Sequence, residues 1–141
     1  MCIVFFRKNP PVRGIKRVIL FNRDEAILRE RTPLGVHFSP QRILCGVDLE
    51  AKGTWLGVNL DTGNYGFLTN YGNKPFHVIT DTRYRRGNLL MTFLLNDKSF
   101  NSPKDYQEYL EHFIEEGDKF NGLNIWLGNL LHTDEHTDQG G

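Results

Sequence analysis

The chain has 141 residues with 17 basic and 17 acidic side chains, so its formal net charge is zero. That length suffices for one domain with a core of its own, and the charge balance leaves no basic excess of the kind a nucleic-acid footprint needs. Two cysteines, at positions 2 and 45, are too few for a disulfide framework or a metal-ligand spacing and suit a reducing compartment.

No apolar run approaches the roughly 18 residues that span a bilayer. The opening apolar stretch is short, and Arg7 and Lys8 follow it instead of preceding it, unlike a secretory signal. Six basic residues and no acid precede Asp24, as in a mitochondrial presequence. Pro10 and Pro11 break any long helix there and serine is absent, so a folded hairpin is the preferred reading.

Residues 2–7 and 17–22 are rich in Ile, Val and Phe and are predicted strands, separated by Asn9-Pro10-Pro11 and Gly14. Their near-continuous apolar character predicts burial on both faces, inside a layered sandwich. Residues 26–40 read as irregular, because Pro33, Gly35 and Pro40 limit any helix to a turn or two. A meander follows at 43–47, 54–59 and 66–70, joined by residues 48–53 and by the tight turn Asp61-Thr62-Gly63-Asn64. From Arg83 the period becomes helical, with Leu89, Leu90, Phe93 and Leu94 as the apolar stripe and Arg85 and Arg86 at its near end. A second helix has Ser102 as N-cap, Pro103 in first position, Tyr106, Tyr109, Leu110, Phe113 and Ile114 on one face, and Gly117 as its end. Both helices are predicted to cover one side of the sheet. Residues 120–131 form a last strand, and the composition of residues 132–141 predicts a disordered tail. His132 and His136 are spaced i, i+4 but lack a third ligand, so no metal site is read there. His37, His77 and His112 stand alone, as surface or core histidines.

Cys2 and the stretch Asn22-Arg23-Asp24-Glu25 carry the chemistry. Two adjacent strands would bring them together, and removal of Met1, which a small second residue permits, would leave Cys2 as the free N-terminus. In N-terminal-nucleophile catalysis such a thiol attacks a carbonyl while the chain's own α-amine, of ordinary pKa about 7.7 to 8, serves as base. Arg23 would favour the thiolate, and Asp24 would orient the amine. The plainer reading is a cysteine opening a buried strand and a polar turn closing the next one. Trp55, in Gly53-Thr54-Trp55-Leu56-Gly57, either offers a flat face to a ligand or fills the core. Asn70, at a strand end, either donates to a developing oxyanion or caps the following turn. Arg86 either binds a carboxylate or phosphate or lies on a solvated helix face.

Met1-Cys2-Ile3-Val4-Phe5, Asn22-Arg23-Asp24-Glu25, Gly53-Thr54-Trp55-Leu56-Gly57-Val58, Leu68-Thr69-Asn70-Tyr71, Arg86-Gly87 and Phe120-Asn121-Gly122-Leu123-Asn124-Ile125, in that order, resemble the transport and Golgi organization 2 homologues, also called the NRDE family. The resemblance runs from residue 1 to about residue 127, within a domain taken as residues 1–131, and family members are about twice as long as this chain. It implies an α+β fold of the N-terminal-nucleophile hydrolase type, an αββα sandwich that would be partial in so short a chain. Asn70 resembles by position the oxyanion-hole asparagine of related amidases. The implied roles are Golgi organisation, protein secretion, and lipid or haem handling, in the cytoplasm or in association with Golgi or mitochondria.

Three functions compete at this point. The first is a carrier of an amphipathic small molecule, with haem as cargo or an acyl-CoA as ligand and Asn22, Trp55 and Arg86 as ligand contacts; any of the isolated histidines could then reach the haem iron. The second is a cysteine amidohydrolase using Cys2, Arg23, Asp24 and Asn70, with no cofactor required. The third is an inactive short form that exposes a sheet edge.

Overall fold

The computed structural model describes residues 2–72 and 78–131. Expectations about Met1, His77 and the tail from His132 onward, with its histidine pair, lie outside the described residues. The elements in chain order are β1 (Ile3–Lys8), β2 (Arg17–Asn22), β3 (Gly35–His37), β4 (Ile43–Cys45), β5 (Leu56–Asn59), β6 (Asn64–Asn70), α1 (Arg86–Leu94), α2 (Pro103–Ile114) and β7 (Leu123–Asn129). A 3-10 turn at Thr82–Tyr84 precedes α1 and another at Gly117–Lys119 follows α2. The molecule is α+β, and every strand pair among the described residues is antiparallel: β1 and β2 form a hairpin, and the other strands form one sheet in the order β3-β4-β5-β6-β7.

Period-two alternation sorts the side chains of that sheet into two faces. Leu68 faces the helices and shares a core with Ile43, Cys45, Leu90, Phe93 and Leu94. Its neighbour Phe67 faces the opposite way, where Phe6 of the hairpin lies with its ring centroid 6.3 Å from Phe67 and 5.1 Å from Trp126. The layers are therefore helices, sheet and hairpin.

The outer face of the hairpin corrects the expectation of burial on both sides. Val4 and Phe6 point inward and are half-buried, but the register pair Phe5 and Leu20 is 69% and 61% exposed, with Ile3 also exposed. Among the described residues no layer covers that face, so a continuous apolar run here does not signal two-sided burial. A second correction is β3, which lies within residues 26–40 and pairs with β4. Three residues between Pro33 and Pro40 are too few to leave a periodic signal.

Both helices share one core with the same face of the sheet. α1 lies on the sheet over β5 and β6, and the close approach needs Gly57, where a Cβ would come within 2.6 Å of Leu94 Cδ1. α2 rests on α1: the Tyr109 ring stands 5.4 Å from Phe93, and its hydroxyl donates to the Leu89 carbonyl at 2.9 Å. Ser102 caps α2 as expected. Its hydroxyl accepts from the Asp105 N–H, and the Asp105 carboxylate accepts in return from the Ser102 N–H. No described helix is long and apolar enough to cross a membrane.

Buried asparagines lock helix to sheet. Asn59 is fully buried; its amide donates to the Leu94 carbonyl at 2.7 Å, and its oxygen accepts from the N–H groups of Asp61 and Thr62. One side chain thus builds the β5–β6 turn and satisfies a carbonyl at the end of α1 that the helix itself leaves without a partner. Replacing Asn59 by Ala strands all three partners, and a loss of about 2 to 3 kcal/mol in unfolding free energy is expected in urea titration.

Candidate functional site

The hairpin register decides what reaches the interior. Ile3 pairs with Asn22 and Val4 with Phe21, so continuing the ladder by one residue sets Cys2 opposite Arg23. Because alternate residues share a face, Cys2 follows Val4 and Phe6 inward, Arg23 and Glu25 turn inward with it, and Asn22 and Asp24 turn outward. The structure agrees: Cys2, Arg23 and Glu25 line one cleft of about 990 Å³, whereas Asn22 and Asp24 are exposed and are not part of its lining. Trp55, Asn70 and Arg86 line the same cleft. Five of the seven residues singled out in the sequence therefore converge, and the remaining two point away from it.

Asp48 organises the charges. It is 8% exposed, and one carboxylate oxygen accepts from Arg29 Nε at 2.6 Å and from Arg23 Nη2 at 3.2 Å. The other accepts from the N–H groups of Glu50 and Ala51 at 3.1 and 2.9 Å. Burial pushes the acid upward, but the Arg29 hydrogen bond, the Ala51 N–H and the charges of both arginines outweigh it and hold Asp48 below the usual carboxylate range. The same hydrogen bond raises Arg29. Arg23, fixed from one side by Asp48, lies over Trp55 with its guanidinium carbon 4.3 Å from the ring centroid, a cation–π contact. Trp55 is thus neither free for a ligand nor sunk in the core: its face seats Arg23 and part of it borders the cleft.

Arg86 is held differently. A Cβ on Gly53 would strike the backbone of Gly87, so the first glycine of the tryptophan motif serves to bring the β4–β5 connection against the start of α1. That contact sets Arg86 at the cleft wall, half-buried, with Nη1 donating to the Gly122 carbonyl at 3.0 Å. Among the described residues no carboxylate lies in ion-pair range of it. Burial lowers its pKa, the charges of Glu25 and Cys2 act in the opposite sense, and Arg29 adds to the fall. Arg85 also lines the cleft and donates to the Glu50 carbonyl. The solvated helix face is therefore the wrong reading for this pair.

The Gly122 carbonyl also accepts from the Tyr71 N–H at 2.9 Å, closing the ends of β6 and β7. Asn70 stands at this junction with an exposed side chain. Its amide makes no hydrogen bond among the described residues, and Asn70 lines the cleft. No group of three or more His, Cys, Asp or Glu among the described residues is placed to hold a metal, and neither His37 nor His112 borders this cleft.

The chain matches the family model described as Transport and Golgi organisation 2 over residues 1–138. It belongs to that family. Comparison with curated proteins and with solved structures gave no match. Within this Transport and Golgi organisation 2 chain, Asp48 and Arg29 are what sequence reasoning missed. A lone acid closing an apolar strand just before a glycine-ended connection was the signal for Asp48. Arg29 left none, since it sits in an irregular stretch.

Two outcomes follow from this geometry. Cys45 is fully buried and burial raises its thiol, whereas Cys2 is half-exposed. A thiol reagent is therefore expected to label one cysteine quickly in the native protein, a signal lost in Cys2→Ser and kept in Cys45→Ser. Because Asp48 is depressed below its unfolded value of about 3.9, its stabilisation is present above about pH 4 and disappears as pH falls through the folded value. Asp48→Asn should lower stability at neutral pH by about 3 kcal/mol and flatten the acid limb of a pH series of urea unfolding curves.

Proposed function

We propose that the cleft binds an anionic amphipathic small molecule, and that this member of the Transport and Golgi organisation 2 family carries the molecule as cargo. The observation behind the reading is Arg86, a half-buried cation with a backbone partner but no neutralising carboxylate among the described residues. Arg23 and Arg29 are neutralised by Asp48 and by Glu25 and Glu50, which leaves Arg86, with Arg85 beside it at the cleft wall, as the place that gains most from an incoming anion. Leu68, Ile79 and Phe120 supply apolar wall, and such a mixture of apolar lining with few polar anchors is what small-molecule sites share. Haem, with carboxylates on a flat apolar ring, and a long-chain acyl-CoA, with phosphates on an alkyl tail, both answer that description. In this reading the protein works in the cytoplasm, at the Golgi or at mitochondria.

Titration of the purified protein with haemin and with palmitoyl-CoA at micromolar concentration, followed by tryptophan quenching and for haemin by a Soret shift, checks it. Arg86→Gln should weaken binding roughly 10- to 100-fold, the worth of one charged hydrogen bond at about 1.5 to 3 kcal/mol. Absence of any response from both ligands, or equal affinity in Arg86→Gln, contradicts the proposal.

A second reading is favoured by the thiol of Cys2 and the unengaged amide of Asn70 sharing the cleft. With Met1 removed, Cys2 would act as nucleophile and its α-amine as base on a C–N bond, with Asn70 donating to the oxyanion. The intact mass of the purified chain checks the first step. A retained Met1 leaves no α-amine on Cys2 and ends the hydrolase reading.

A further inference from the structure

A second cleft of about 880 Å³ lies between α1, α2 and the two 3-10 turns. Met91, Leu95, Tyr109 and Phe113 give it an apolar floor, and Tyr84 and Phe120 line it as well as the first cleft. The two cavities therefore meet at this pair of rings, whose centroids are 5.4 Å apart in an edge-on arrangement. The ridge is held in place: the Tyr84 hydroxyl donates to Glu116 at 3.0 Å and accepts from Lys119 Nζ at 3.2 Å.

Charge differs between the two ends. The second cleft is rimmed by Glu108, Glu115 and Glu116; Glu108 is paired with Lys104 at 3.5 Å and Glu116 with Lys119 at 2.6 Å, and Arg83 is paired with Asp81 at 2.7 Å, so Glu115 alone of these has no ion-pair partner among the described residues. An anionic head group meets no unpaired arginine or lysine there and is drawn to Arg86 instead. The apolar floor begins five residues along α1 from Arg86, at Met91, and ends nine residues along, at Leu95. At about 1.5 Å per residue these stand roughly 7.5 and 13.5 Å up the helix axis.

Resting on the carrier reading, we infer that the ligand is an elongated single-chain anionic amphiphile whose head sits at Arg86 and whose tail crosses the Tyr84–Phe120 ridge into the second cleft. The orientation follows from charge, and the selectivity follows from length. A compact anion uses the first cleft alone. A chain that reaches Met91 and beyond buries methylene groups against the floor, and each gains the usual increment for apolar burial until Leu95 is covered.

The test is isothermal titration of the full chain with a series of fatty acids and of monoalkyl phosphates of increasing length, kept below micelle concentrations. Both head groups are expected to bind, with affinity rising roughly three- to four-fold per added methylene over the middle of the series and then levelling. Thr92→Trp and, from the opposite wall, Glu115→Trp place an indole in the second cleft, both from exposed positions remote from Arg86. They should abolish the dependence on length while leaving the shortest members as in the wild type, whereas Arg86→Gln should weaken every length alike. Length-independent affinity in the wild type, or an unchanged length dependence in both tryptophan variants, overturns the inference and leaves the carrier reading standing. Failure of every member of the series to bind defeats both.

Discussion

The Asp48 carboxylate is the constraint on which the candidate site depends. With both oxygens engaged, it orders residues 48–53 through two N–H groups and neutralises two arginines that arrive from the hairpin and from the irregular stretch after it. A buried acid of this kind contributes little net stability compared with an apolar substitute of equal shape, but its removal leaves cations without partners in a poorly solvated place. Its role here is positional. Arg23 can lie on Trp55 because Asp48 takes its charge, and the ordered connection places Gly53 against Gly87, which fixes where α1 begins and so where Arg86 stands.

From that anchor the cleft is assembled by three unrelated devices. The strand period of two sends Cys2, Arg23 and Glu25 inward and Asn22 and Asp24 outward. Glycine contacts let α1 approach the sheet and its preceding loop. The Gly122 carbonyl joins Arg86 to the β6–β7 end where Asn70 sits. None of these devices belongs to one motif, and each motif contributes to a different one. The result is a cleft whose arginines are neutralised on the hairpin side and, among the described residues, have no carboxylate partner on the α1 side, an asymmetry that gives an anion one preferred place to go.

Much of the fold was legible because its signals are local. The turn Asp61-Thr62-Gly63-Asn64, the capping box at Ser102 and the helical stripe of Leu89, Leu90, Phe93 and Leu94 each follow from a few neighbouring residues. Burial was less legible. Ile3, Phe5 and Leu20 look like core in sequence and are exposed, because whether a strand face is covered depends on a layer elsewhere in space. The site divides in the same way: Cys2, Arg23, Asn70 and Arg86 carry recognisable chemistry at strand or helix ends, whereas Arg29 matters only because Asp48 stands opposite it. The second cleft had no sequence signature at all, since its floor comes from α1 and α2 and its ridge from turns 36 residues apart (Tyr84 to Phe120).

At the centre of this account stands one claim, that Cys2 and Arg86 face a single ligand-accessible cleft. The rate at which a thiol reagent modifies Cys2, measured with and without saturating dodecyl phosphate, tests it most directly. The account predicts that the ligand slows labelling severalfold in the wild type and that Arg86→Gln abolishes the protection at the same ligand concentration. An unchanged labelling rate under conditions where calorimetry shows the ligand bound would contradict it.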